Sequence, residues 1–113
     1  MAKFAMTFQE YIDIMATNSP HATVMDWWRR LSLAIDDYFK ILDEPRGSAS
    51  EVESRISSNP KLGSLVATNL RELRLTRNRV AHENVATLTA EQAIEYAKSA
   101  FELGWTIIRA GSY

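Results

Sequence analysis

The side chains best suited to moving a proton beside an anion are gathered in one stretch. Residues 71–83 read Arg-Glu-Leu-Arg-Leu-Thr-Arg-Asn-Arg-Val-Ala-His-Glu, with four arginines and one of the chain's two histidines. Histidine titrates near neutrality, so His82 can accept or donate a proton. Arginine keeps its charge and grips phosphate oxygens with paired donors. That suits Arg71, Arg74, Arg77 and Arg79 to holding a phosphate and stabilising extra negative charge on it. Asn78 can orient a phosphate or an imidazole without adding a charge of its own. The chemistry open to this group is acid–base catalysis at a phosphate.

A helix must position these residues. At about 100° per residue, Leu62, Leu65, Val66, Leu70, Leu73 and Val80 fall on one stripe, which is expected to face the core. Arg77 lies beside Leu73 and Val80. Arg71, Arg74, Asn78 and His82 fall roughly opposite, with Leu75 among them. Arg74, Asn78 and His82 are four apart and stack turn above turn. Arg77 lies between the two faces and is long enough to reach toward either. Arg77 and His82 diverge by about 140° on an ideal helix. They converge only where the helix ends or distorts, where Arg77 reaches round, or where a second subunit supplies the missing group. Arginines on a solvated helix face are also ordinary, and cations near a helix C-terminus suit the macrodipole.

The run Arg77-Asn78-Arg79-Val80-Ala81-His82 resembles the motif of the HEPN family, small all-helical domains that in many members are metal-independent ribonucleases. The family pattern is an arginine and a histidine separated by a short gap, often with a polar residue after the arginine. Here the gap is four residues and the polar residue is Asn78. The flanks also fit: a long amphipathic helix, a break, then a helix opening Leu-Thr-Ala-Glu-Gln-Ala at 88–93. The resemblance covers roughly residues 60–113; the first half of the chain is compatible with it. It implies a symmetric dimer, RNA as substrate and a 2′,3′-cyclic phosphate product. It implies His82 as general acid/base, Arg77 as phosphate binder and Asn78 as orienting group, with Arg71, Arg74 and Arg79 extending the RNA contact. It also implies the toxin of a toxin–antitoxin pair or a phage-defence effector, hence an antitoxin or other protein partner. Some members carry tyrosine two positions after the histidine; Asn84 stands there, so the sequence departs from that subgroup.

With 113 residues, 46% of them hydrophobic, the chain is expected to form one domain spanning residues 1–113. A domain of this size buries about two thirds of its unfolded surface and needs no disulfide or metal. There is no cysteine and the net charge is −1. The charge is uneven: residues 36–44 and 51–53 carry six acids, whereas residues 71–79 carry four arginines against one glutamate. A basic strip on a near-neutral protein suits a small phosphate site better than a long nucleic-acid groove. No stretch is long and apolar enough to span a membrane. The opening Met-Ala-Lys-Phe-Ala-Met-Thr lacks a signal peptide's apolar run, so a cytoplasmic location is expected.

The expected fold is all-α: an antiparallel up-and-down bundle of four main helices plus one short helix. Thr7-x-x-Glu10 reads as a capping box opening the first helix, with Met6 and Tyr11 as its hydrophobic staple. The second starts near Pro20 or Thr23 and runs to about Asp43, with Trp28, Leu31, Ile35, Tyr38, Phe39 and Leu42 as its stripe. Trp27 lies off its centre, at an edge. Pro45 and Gly47 make the main loop. Ser50-x-x-Glu53 is expected to cap a short helix ending near Ser57. The motif helix spans Pro60 to about Glu83, with Glu72 and Glu83 as candidate counter-charges. Asn84–Leu88 forms a turn, and Thr89-x-x-Gln92 caps a last helix to about Arg109. That helix carries two apolar stripes, one through Ile94, Ala97, Phe101, Trp105 and Ile108, the other through Tyr96, Ala100, Leu103 and Ile107. It is either central or shared with another subunit.

Other chemistries find little support. Two histidines, no cysteine and no HExxH leave no metal site, and no cofactor is expected. His21 reads as a solvated first-turn residue. Asp36/Asp37, Asp43/Glu44 and Arg29/Arg30 read as solvated charge. The leading expectation is a metal-independent endoribonuclease. The alternative is a non-catalytic bundle of the same kind that dimerises or binds a nucleotide or a protein. A third reading is a helical interaction module whose arginines contact acidic protein.

Overall fold

The computed structural model describes residues 7–82 and 88–112. Among them are five helices and no strand: α1 (Phe8–Asn18), α2 (Pro20–Ile41), α3 (Ala49–Ser58), α4 (Gly63–His82) and α5 (Ala90–Ser112). The chain is an all-α bundle. Its main seam is α2 against α5, with α1 lying on both, α3 packed on α4, and α4 resting on α2 and α5.

Caps set most of the boundaries. The Thr7 hydroxyl accepts from the Glu10 amide at 3.1 Å and opens α1. Met6, the other half of the expected staple, lies outside the described residues. Ser19, not Thr23, caps α2: its hydroxyl accepts from the Ala22 amide at 3.1 Å, and Pro20 takes the first helical position. Thr23 is fully buried and its hydroxyl donates to the Ser19 carbonyl at 2.8 Å. Thr89 and Gln92 close the expected reciprocal box at the start of α5. The box that opens α3 is shifted by two residues, to Ser48 and Glu51. Gly47, at φ 77°, supplies the left-handed turn that delivers Ser48 to the cap. The shift matters, because it leaves Glu53 free of capping duty.

The entry to the motif helix also differs from expectation. The Asn59 side chain accepts from the Lys61 amide at 2.8 Å, and the Asn59 carbonyl accepts from Gly63 at 2.9 Å. Gly63 sits at φ 82°, so Pro60–Leu62 form a turn and the helix proper begins at Gly63. Leu65, expected in the core, is 72% exposed. It lies more than about 100° from the centre of the stripe that Ala67, Leu70, Leu73 and Val80 bury.

In α2, Trp27 is the buried tryptophan at 5% exposure, reversing the expected roles of the pair, while Leu42 falls outside the core. Trp27 stacks edge-on with Phe8 and Phe101 and carries the Arg30 guanidinium over its ring. Of the two apolar stripes on α5, the one through Tyr96, Ala100, Leu103 and Ile107 goes inward with Ala93 and Ala97. The other leaves Phe101 and Trp105 exposed. The small residues decide this. A methyl on Gly104 would touch Ala34 at 3.6 Å and one on Gly111 would meet the Tyr38 ring at 2.9 Å, so this face brings α5 close to α2.

Several charges expected to be merely solvated are paired. Asp36 pairs with Arg46, and Glu44 with Arg55. Arg46 also donates to the Ser32 carbonyl and Arg55 to the Pro45 carbonyl, which pins the α2–α3 loop. Arg29 and Arg30 share Asp26.

Candidate functional site

The candidate residues all lie on α4, and their surroundings divide them. Arg71 is exposed. Arg74 is half-buried and committed: its Nε donates to Glu53 at 2.6 Å and an Nη donates at 3.3 Å, a fork between α4 and α3. Hydrogen bonding to Glu53 outweighs desolvation and raises the Arg74 pKa above its ordinary value. Glu53, rather than Glu72, is therefore the counter-charge here; Glu83 lies outside the described residues.

Arg77 is placed differently. By helical angle it falls between Leu70 and Leu73, in the middle of the buried stripe. Its guanidinium is half-buried, and Nε is buried with no hydrogen-bond partner. One Nη donates to the Asn78 side-chain oxygen at 3.2 Å. No ion pair involving Arg77 occurs among the described residues. Across the seam, the Tyr96 hydroxyl donates to the Leu73 carbonyl at 2.9 Å. Burial pushes the Tyr96 phenol well above the usual tyrosine range, opposed by the positive field of Arg77. Among the described residues, the Arg77 charge is felt by a buried tyrosine and pairs with no acid. A partly desolvated cation without a counter-charge is a costly arrangement.

Asn78 is half-buried and shares an open depression with Glu72, Leu75 and Arg79. Arg79 is exposed and rests on the Thr76 hydroxyl at 3.4 Å. His82 is exposed and is the last residue of α4. The structure brings Arg77 into contact with Asn78 and puts Asn78 and Arg79 on one depression. His82 stands at the helix end, a little over one turn beyond Arg77.

The residue that spacing alone did not bring to this end of the bundle is His21. Its Nε2 lies 3.1 Å from the Val80 carbonyl, in the same last turn of α4 that carries Arg79 and His82. The ring is exposed, as expected, but it is anchored. Fifty-nine residues separate the partners, so no local pattern could have revealed the contact.

No family model matches the chain, and neither the curated proteins nor the solved structures include a match. Function has to be argued from the site itself. Chemically, the end of α4 offers a fixed guanidinium with unused donor capacity, an adjacent amide, an exposed arginine and an exposed imidazole. These residue types suit phosphate binding and proton exchange; among the described residues the structure joins Arg77 to Asn78 and sets Asn78 and Arg79 on one depression.

Proposed function

We propose that the protein is a HEPN-like, metal-independent endoribonuclease, with Arg77 binding the scissile phosphate, Asn78 orienting it and His82 acting as general acid/base. The observation that carries the reading is Arg77: a half-buried guanidinium, with a buried Nε that has no partner among the described residues, on a stripe otherwise given to aliphatic side chains. Among the described residues no acid neutralises this guanidinium, and a phosphate meeting its Nη donors would supply both charge and acceptors. In the reaction the 2′-oxygen attacks phosphorus as its proton is removed, and the bond to the 5′-oxygen breaks as that oxygen is protonated. The products are a 2′,3′-cyclic phosphate and a 5′-hydroxyl. Arg77 stabilises the negative charge that accumulates on the phosphoryl oxygens. Arg71 and Arg79, both exposed, extend the contact to flanking phosphates, while Arg74 contributes chiefly through Glu53.

The resemblance further suggests a cytoplasmic toxin or phage-defence effector, held in check by an antitoxin or another protein. It also suggests a homodimer that doubles the catalytic group. The outward stripe of α5, with Trp105 52% exposed, supports a pairing surface. None of the described helices is long and apolar enough to cross a membrane. That same stripe favours the second reading, a non-catalytic dimerising or nucleotide- or protein-binding module. The experiment is incubation of a random-sequence RNA pool with wild type and His82→Ala in EDTA, with product ends read by mass spectrometry. Cyclic phosphate ends from wild type alone are expected. Intact RNA after long incubation, with RNA still bound, would transfer the case to the non-catalytic module.

A further inference from the structure

We propose that the depression beside Arg77 recognises a guanine base next to the scissile phosphate, with Glu72 and Arg79 on its two hydrogen-bonding edges and Leu75 against one face of the ring. The inference rests on the ribonuclease reading and names the base at which that activity would cut. Glu72, Leu75, Asn78 and Arg79 line one open depression of about 650 Å³, room enough for a nucleotide. It adjoins the phosphate binder, because Arg77 donates to the Asn78 side-chain oxygen at 3.2 Å. That bond engages the oxygen of Asn78 and leaves its Nδ2 donors for a ligand.

The acid sets this depression apart from a plain phosphate site. A carboxylate repels a phosphate. Glu72 neutralises no cation either: Arg74 pairs with Glu53, and neither Glu72 nor Arg79 makes an ion pair among the described residues. An acceptor-only group suits N–H donors. Of the four RNA bases, guanine alone offers two side by side, N1–H and the N2 amine. Its other edge carries O6 and N7, which an arginine fork takes as a pair. Adenine has an acceptor, N1, where Glu72 needs a donor. The spacing matches. Glu72 and Arg79 are seven residues apart, so they lie within about 20° of each other and roughly 10 Å apart along α4. A purine with a hydrogen bond of about 3 Å at each edge spans close to that length. Leu75 stands between them, 39% exposed, an apolar rest for the ring. Arg79 spends one hydrogen on the Thr76 hydroxyl. The rest of its fork serves O6 and N7 and still reaches a flanking phosphate.

The test measures single-turnover cleavage in EDTA of short single-stranded RNAs that differ at one base: guanine, adenine, or hypoxanthine, which is guanine without its N2 amine. Wild type and Glu72→Gln are compared, with binding followed by fluorescence anisotropy and folding by circular dichroism. Wild type should cut beside guanine roughly ten- to a hundredfold faster than beside adenine, the discrimination of one good bidentate pair. Hypoxanthine should forfeit part of that advantage. Glu72→Gln trades one acceptor oxygen for a donor, so its guanine-to-adenine ratio should fall at least about tenfold and hypoxanthine should match guanine. Cleavage by wild type with no preference for guanine, with guanine and hypoxanthine cut equally, or with a preference that Glu72→Gln keeps in full, would overturn this proposal while sparing the ribonuclease reading. Guanine-selective binding that Glu72→Gln loses, with the RNA left whole, would uphold the base pocket and overturn catalysis. RNA neither bound nor cut would remove both.

Discussion

Substituting methionine at Arg77 keeps an unbranched apolar stem and removes the guanidinium. Substituting it at Arg74, one turn earlier, makes the same chemical change in different surroundings. Among the described residues, Arg77 has a buried Nε with no acceptor and one neutral hydrogen bond, to Asn78. An unsatisfied buried donor costs about 1–3 kcal/mol, and the lost bond to Asn78 is worth about 0.5–1.5 kcal/mol. For a half-buried group the balance is a gain of about 0.5–1 kcal/mol in the variant. Arg74 is forked onto Glu53, the two side chains being 26% and 16% exposed. Exposed pairs contribute up to about 1 kcal/mol, while breaking a buried pair costs about 3–5 kcal/mol. Arg74→Met should therefore lose about 1–2 kcal/mol. The Arg74 pKa is raised, so its contribution is complete below the ordinary arginine value and is lost only as pH climbs through the folded value. The deficit should thus be flat across roughly pH 6 to 9. Urea unfolding at neutral pH gives the free energies, and thermal unfolding should separate the two variants by about 8 °C. Arg77→Met should also lose RNA cleavage. If Arg77→Met were less stable than wild type by about 1 kcal/mol or more, Arg77 would be a structural strut. The main support for a phosphate site would then be gone.

Other expectations follow from single contacts. Because burial raises the Tyr96 phenol, the unfolded chain ionises first as pH passes the ordinary value of 10.0. Stability should be full below that point and fall above it; Tyr96→Phe should flatten the alkaline fall, at a cost of about 1 kcal/mol at neutral pH from the lost bond to Leu73. A methyl at Gly111 would lie 2.9 Å from the Tyr38 ring, whose hydroxyl is held by Asn59 at 2.7 Å, whereas one at Gly104 finds ordinary contacts from 3.6 Å. Gly111→Ala should therefore destabilise by about 1 kcal/mol and Gly104→Ala stabilise by about 0.5 kcal/mol, both read from urea midpoints. Trp105→Glu should leave the monomer's stability within about 0.5 kcal/mol and abolish any dimer seen by light scattering.

The helices were legible because their punctuation is local. Thr7 with Glu10, Pro20, Gly47 and Thr89 with Gln92 each act within a few residues, and each takes its expected part. The sequence reading puts the α3 box at Ser50 and Glu53; the left-handed Gly47 delivers Ser48 and Glu51 instead, and Glu53 is released to Arg74. Periodicity found both apolar stripes of α5 but could not rank them, since burial depends on which one α2 can approach. The pairing of Trp27 with Phe8 and Phe101 likewise depends on three helices at once. At the site, the spacing set the candidates on one helix, and of them the structure joins Arg77 to Asn78. The commitment of Arg74 to a residue 21 positions away, and of His21 to one 59 positions away, could not.

The most direct measurement is the single-turnover rate at which Arg77→Met cuts RNA in EDTA, relative to wild type, with both proteins shown to be folded. The account predicts clean cleavage by wild type and a loss of about a hundredfold or more in the variant. Equal rates, or RNA that wild type itself leaves whole, would contradict it.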